Sequence, residues 1–154
     1  MSGLALNRPG TVESVKEKIW PKWEINDLVS YAETASMGLG VVAQRRIEMD
    51  TEILCDPVRT FTGDDAARIR STEAYHILFV DRETFDVENK RSPLHLVVGP
   101  ISILNHSKNA NCHILWEIGE DVRSPRARLF ARRDILPGEQ LVISYHNIEE
   151  YDFD

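Results

Sequence analysis

Asn105-His106-Ser107 and the later run Ala131-Arg132-Arg133-Asp134-Ile135-Leu136-Pro137-Gly138-Glu139-Gln140-Leu141-Val142-Ile143-Ser144-Tyr145 decide how this chain is read. In the first, an amide, an imidazole and a hydroxyl stand in a turn-like stretch directly after the apolar segment Ile101-Ser102-Ile103-Leu104. Polar groups placed between an apolar run and a following strand sit indoors, and there each needs a partner. The second run reads as a strand, a Pro-Gly turn and a second strand ending on Tyr145. Upstream, Gly38-Leu39-Gly40 opens another strand, and paired glycines let a backbone turn tightly and approach a ligand without a Cβ in the way. Taken singly, each segment has a plainer reading: a hairpin turn, a satisfied polar loop, a packed aromatic at a strand end.

The rest of the chain has mainly strand signals. Thr11 is placed to cap a short helix over Val12–Trp20, stopped by Pro21, after a loose arm at residues 1–10. Short strands are expected over Leu28–Ala32, Leu39–Ala43, Glu52–Val58, Tyr75–Val80, Leu94–Val98, His113–Ile118, Arg126–Ala131 and Gln140–Ser144. Thr62-Gly63-Asp64-Asp65 reads as a helix start carried on through Ala66–Ser71. The expected fold is mostly β, with small sheets of short strands and one or two short helices. Three regions are expected: an N-terminal arm with a helix over 1–23, the main domain over 24–147, and an acidic aromatic tail over 148–154.

At 154 residues the chain can bury a core without staples. The two cysteines, Cys55 and Cys112, make no Cys-x-x-Cys pair, so no metal site is expected and both read as thiols in a reducing, intracellular compartment. No membrane span and no signal-peptide pattern is seen. A formal charge of −7 argues against direct binding of nucleic acid and favours cationic partners. The tail Glu149-Glu150-Tyr151-Asp152-Phe153-Asp154 concentrates that charge among aromatics. Nothing in the sequence sets an oligomeric state.

Together the segments resemble the SET domain, the fold of many protein-lysine methyltransferases. Ser36-Met37-Gly38-Leu39-Gly40-Val41-Val42-Ala43, then Arg45-Arg46-Ile47, is similar to that family's first motif. Asn105-His106-Ser107-Lys108-Asn109-Ala110-Asn111 is similar to its Asn-His-Ser-x-x-x-Asn segment, with Lys108-Asn109-Ala110 replacing the usual Cys-x-Pro. Arg133-Asp134-Ile135-x-Pro137-Gly138-Glu139 leads to Tyr145 at the family's spacing. The likeness spans roughly residues 28–151, which makes it far more specific than any one motif.

The resemblance implies a β-clip-like fold whose C-terminal segment threads past the Asn-His segment in a knot-like way, a rare exception to unthreaded topology. It implies S-adenosylmethionine as cofactor, bound by Gly38, Leu39, Gly40, Asn105, His106, Tyr145 and Phe153. Tyr145 is the implied catalytic tyrosine and Tyr75 a second one. Ile143 and Tyr151 are the implied walls of a lysine channel. Ile143 stands where the family often has Phe or Tyr tuning the number of methyl groups added, so that number is not legible. The zinc-binding cysteine-rich flanks of many members are absent from this sequence. The implied substrate is lysine in a basic protein or peptide such as a histone, in the cytoplasm or nucleus. The competing readings are an inactive SET-like module that binds basic peptides or partner proteins, and an unrelated small β-rich ligand-binding domain.

Overall fold

In the computed structural model of the protein, residues 23–34, 37–80 and 92–144 are described. The expected helix over Val12–Trp20, the N-terminal arm and the tail lie outside them. Among the described residues, ten strands form three small sheets. The first sheet holds β1 (Trp23–Glu24), β2 (Val29–Thr34) and β3 (Gly38–Ala43) in antiparallel order, with Val29 opposite Ala43 and Thr34 opposite Gly38. Asn26 starts β2: its Oδ1 accepts from the amides of Leu28 at 2.8 Å and Val29 at 3.0 Å. An Asx turn of this kind gives the backbone local partners before the ladder begins.

The largest sheet runs β5 (Phe79–Val80), β6 (Leu94–Val97), β4 (Glu52–Phe61), β9 (Arg126–Ala131), β8 (Cys112–Glu117), all antiparallel. β4 pairs with β9 up to Pro57 and with β6 from Val58 onward. Pro57 has no N–H to give, and it stands where the ladder changes partner. In β9, Ala127, Leu129 and Ala131 are buried and alternate with the more accessible Arg126, Arg128 and Phe130, the period-two signature of a sheet with one face on the core. The main core joins these to Val29, Val41, Ile47, Ile101, Leu104, Ile135, Leu141 and Ile143, with Trp116 packed against it. Trp116 meets Phe79 edge to face at 5.2 Å. A smaller core holds Ala66, Tyr75, Leu78, Val80 and Leu94.

Helix α1 (Gly63–Arg70) follows Thr62, with Asp64 and Asp65 in its first turn and Arg68 and Arg70 in its last. These charges oppose the two ends of the helix dipole. Thr62 stands at the N-cap but makes no side-chain cap bond.

Two expectations are corrected. Tyr75–Val80 is not one strand: Glu73–Ile77 is a 3-10 turn and only Phe79–Val80 pairs. A strand would put Tyr75, Ile77 and Phe79 on one face, but Ile77 is 57% exposed, while Tyr75 and Leu78, three apart, are buried. In the run Ala131–Tyr145 the Pro137-Gly138 turn and a second strand at Val142–Ile143 are present, but the stretch between Ala131 and the turn is not a strand. Around the turn the chain touches the rest through isolated bridges at Ile47–Ile135 and Val42–Gln140.

That last segment positions the site. The Gly138 amide donates to Ala43 O, the Ala43 amide to Glu139 O and the Leu141 amide to Val41 O, all at 2.8–2.9 Å. The chain then leaves β3 and pairs in parallel with β7 (Asn105–His106) as β10 (Val142–Ile143), Val142 opposite Asn105 and Ile143 opposite His106. Residues 138–143 are thus inserted between the first sheet and the Asn-His segment, which is the described part of the threading that the resemblance implies.

Candidate functional site

Three segments far apart in sequence meet at Gly40. A Cβ there would stand 2.8 Å from Gln140 Oε1 and 3.1 Å from Asn105 Nδ2, so only a residue without one lets these side chains approach the β3 backbone. Gly38 serves another need. Its φ of +70° is the left-handed region, and its carbonyl accepts from Thr34 Oγ1 at 2.9 Å, while the Met37 amide donates to the same hydroxyl oxygen at 3.1 Å. Gly38 and Leu39 are exposed, and a Cβ on Gly38 would meet nothing within 4 Å. The β3 backbone therefore enters the site with one open end and one crowded end.

The Asn105 amide can be assigned from its neighbours. Leu39 O lies 3.4 Å from one end, and a carbonyl can only accept, so that end is nitrogen. The same Nδ2 donates to Gln140 Oε1 at 2.6 Å. Both Nδ2 protons are then used, and Asn105 Oδ1 has no donor among the described residues. Asn105, His106 and Ser107 are all half-buried. Burial, and secondarily the charge of Lys108, push the His106 pKa below its usual value, so the imidazole is neutral at neutral pH.

Below this layer Asn111 is 1% exposed and bonded at both ends of its amide: Nδ2 donates to Gln140 O at 2.7 Å, and Oδ1 accepts from the Val142 amide at 2.8 Å. The Pro137-Gly138 turn is fastened by Glu139, whose Oε2 accepts from the Leu136 amide at 2.8 Å and whose Oε1 accepts from Arg133 Nη2 at 2.5 Å. Gly138 itself has a φ of +82°. Asn111, Glu139 and Gln140 were not assigned a role from sequence. No local signal marks them: their burial and their partners arise only once distant segments close on one another.

The structure brings Leu39 and Gly40 against Asn105, with Gly38 at the start of the same strand and His106 next to Asn105 on β7. Ile143 is beside His106 and 2% exposed, its side chain within the main core. Tyr75 lies in the smaller core, with the Arg70 guanidinium 5.7 Å from its ring centre. Tyr145, Tyr151 and Phe153 lie outside the described residues; Tyr145 is two residues beyond β10 in sequence. Among the described residues no group of three or more His, Cys, Asp or Glu side chains could hold a metal ion, and no helix is long and apolar enough to cross a membrane. Cys55 and Cys112 are both free thiols, Cys55 exposed and Cys112 buried.

An exposed backbone stretch, an oriented amide with its oxygen unused and a half-buried imidazole thus stand on adjoining segments.

The SET-domain family model matches residues 38–146, most of the chain. Over 51 residues the chain is 45% identical to an Aspergillus oryzae histone-lysine N-methyltransferase specific for lysine 36 of histone H3, a match covering 32% of this chain and 5% of that protein. The chain thus spans a small part of that relative's length. Among solved structures, a Plasmodium falciparum protein described as a candidate histone methyltransferase superposes with a TM-score of 0.59 at 18% identity, covering 82% of this chain and all of that one. The Neurospora SET-domain protein DIM-5, a histone lysine methyltransferase, superposes with a TM-score of 0.57 at 24% identity, covering 77% of this chain and 52% of that one. At such identities the superpositions speak to fold, and they agree with the match over residues 38–146: the chain belongs to the SET-domain family.

Proposed function

We propose that the protein transfers a methyl group from S-adenosylmethionine to the ε-amine of lysine in a basic protein such as a histone, in the cytoplasm or nucleus. The observation that carries this reading is the meeting of Gly40, Asn105 and Gln140 at one point, with Asn105 Oδ1 left as an acceptor. The cofactor supplies an electrophilic methyl group on a sulfonium. Asn105 Oδ1 would accept from its ammonium, and the Gly38–Gly40 backbone would hold its amino-acid end. A neutral His106 would add no positive charge to the site. Carbonyl oxygens of the Asn105–His106 segment would offer weak C–H···O contacts.

The remaining work is alignment and deprotonation. Free lysine has a pKa of about 10.4, so its amine must lose a proton in or before the site. An apolar channel disfavours the ammonium form, and Ile143 and Tyr151 are its proposed walls. Tyr145 orients the amine with its hydroxyl, Tyr75 is proposed as a second active-site tyrosine, and Phe153 covers the adenine. In-line placement contributes up to about 7–11 kcal/mol of barrier reduction. The net charge of −7 and the acidic tail favour basic substrates.

Calorimetry of S-adenosylmethionine binding tests the site. Asn105→Ala removes the acceptor for the cofactor ammonium, a hydrogen bond to a charged group, costing about 1.5–3 kcal/mol of binding. Equal affinity in wild type and variant rejects this placement of the cofactor.

A further inference from the structure

We propose that Gln140 is a positioning residue for the cofactor: its side-chain carbonyl holds the Asn105 amide so that Oδ1, not Nδ2, is left for the ligand. The proposal rests on the cofactor reading above. An asparagine presents a donor at one end and an acceptor at the other, and a flip of its amide reverses what the ligand meets. A cofactor ammonium needs an acceptor, so the flipped amide would present the wrong group.

Leu39 O fixes the orientation only weakly, at 3.4 Å. The 2.6 Å bond to Gln140 Oε1 is the strong restraint, and it acts from a residue only 7% exposed. Gln140 is in turn oriented at three points. Its Nε2 donates to Met37 Sδ at 3.5 Å, its backbone carbonyl accepts from Asn111 Nδ2, and its backbone bridges Val42. If the Gln140 amide turned over, its nitrogen would face Asn105 Nδ2, donor against donor. Nε2 bonded to sulfur and Oε1 bonded to Asn105 is the one arrangement in which every pair is complementary. Met37, Gln140 and Asn105 therefore form a relay of amide orientations that ends at the ligand.

The test uses the full chain and two variants. Gln140→Met keeps the side-chain volume and removes the acceptor; Gln140→Glu keeps an acceptor at the same reach. In the ligand-free wild type, the Asn105 side-chain amide protons should exchange slowly in 15N-edited NMR spectra. Gln140→Met should lose that protection and bind S-adenosylmethionine about tenfold more weakly, and Gln140→Glu should restore both. In turnover, the loss should appear in the cofactor KM, with kcat at saturating cofactor unchanged. Unaltered Asn105 protection and unaltered affinity in Gln140→Met would overturn the positioning role alone. A fall in kcat with an unchanged cofactor KM would also overturn it. Protection that depends on Gln140 in a wild type showing no affinity for S-adenosylmethionine would overturn the cofactor reading, and the proposal's cofactor half with it.

Discussion

The Val142 amide donates to Asn111 Oδ1 at 2.8 Å, while Nδ2 of the same Asn111 side chain donates to Gln140 O at 2.7 Å. One buried side chain thus supplies the partner strand that the backbone at 140–142 lacks on that side. Asn111→Leu fills the same space and pairs with neither group. We expect it to lose on the order of 3 kcal/mol, read as a lower urea midpoint with an unchanged slope, because two backbone groups become unsatisfied. A midpoint within error of wild type would remove Asn111 from this role.

Gly40 and Gly99 should respond differently to alanine. At Gly40 the Cβ meets the far ends of two side chains, which can swing away. We expect Gly40→Ala to remain folded, with a loss of about 1 kcal/mol, and to lose cofactor affinity because the Asn105–Gln140 pair is broken. At Gly99 φ is +153° and a Cβ would lie 2.4 Å from Asp56 Cγ. That carboxylate is itself fixed, since its Oδ2 accepts from the Ile101 amide at 2.9 Å. Gly99→Ala should therefore destabilise strongly, by about 3 kcal/mol or more. Thermal denaturation of the two variants side by side, with cofactor titration of the first, checks the contrast.

Burial of the Asp56 carboxyl pushes its pKa up, partly countered by the Ile101 amide bonded to it. A folded-state pKa raised above the unfolded value means the native state holds its proton more tightly. The stabilising contribution is therefore present below the unfolded pKa and lost as pH rises through the folded one. Asp56→Asn keeps an oxygen for the Ile101 amide and abolishes the titration. We expect the variant to be more stable than wild type near pH 7, with the advantage shrinking as pH falls and the native Asp56 takes up its proton. A difference that stays constant with pH in thermal melts contradicts the assignment. Asp134 behaves oppositely: the Met49 amide and Arg46 lower its pKa, so its small, exposed contribution is lost in acid.

The two thiols should separate cleanly. Burial pushes the Cys112 thiol up to about 12, and Cys55 is exposed. Because the thiolate is the reactive form, native protein treated with iodoacetamide near pH 8 should gain one adduct, at Cys55, and a second only on unfolding. Mass spectrometry showing Cys112 alkylated in the native state would overturn this.

The strands that alternate in sequence were legible to within a residue or two: β3, β6, β8 and β9 lie where the pattern puts them. Tyr75–Val80 was misread because Tyr75, Ile77, Phe79 and Val80 are good strand formers. Only tertiary packing reveals that Ile77 faces out and that Tyr75 and Leu78 close a 3-10 turn. The run before Gln140 was misread for a related reason. Its backbone bonds go to β3 and to the Glu139 side chain, partners no local pattern specifies. In the site, Gly38–Gly40 and Asn105–His106 stand out through the SET-domain resemblance, and their roles are proposals. Gln140 and Asn111 do not, because their contacts arise only when segments 29 to 35 residues apart close on one another.

The most direct test of the account is methyl transfer itself. The full chain is incubated with methyl-labelled S-adenosylmethionine and core histones, and in parallel with a cell lysate, beside Tyr145→Phe. The phenyl ring conserves packing while the hydroxyl is lost, so fold and cofactor affinity should persist. The account predicts label on lysine ε-amines with the wild type, more of it as pH rises from neutral to alkaline, and very little with Tyr145→Phe. Cofactor bound by the wild type with no label in any protein lysine, or equal labelling by the two proteins, would contradict it.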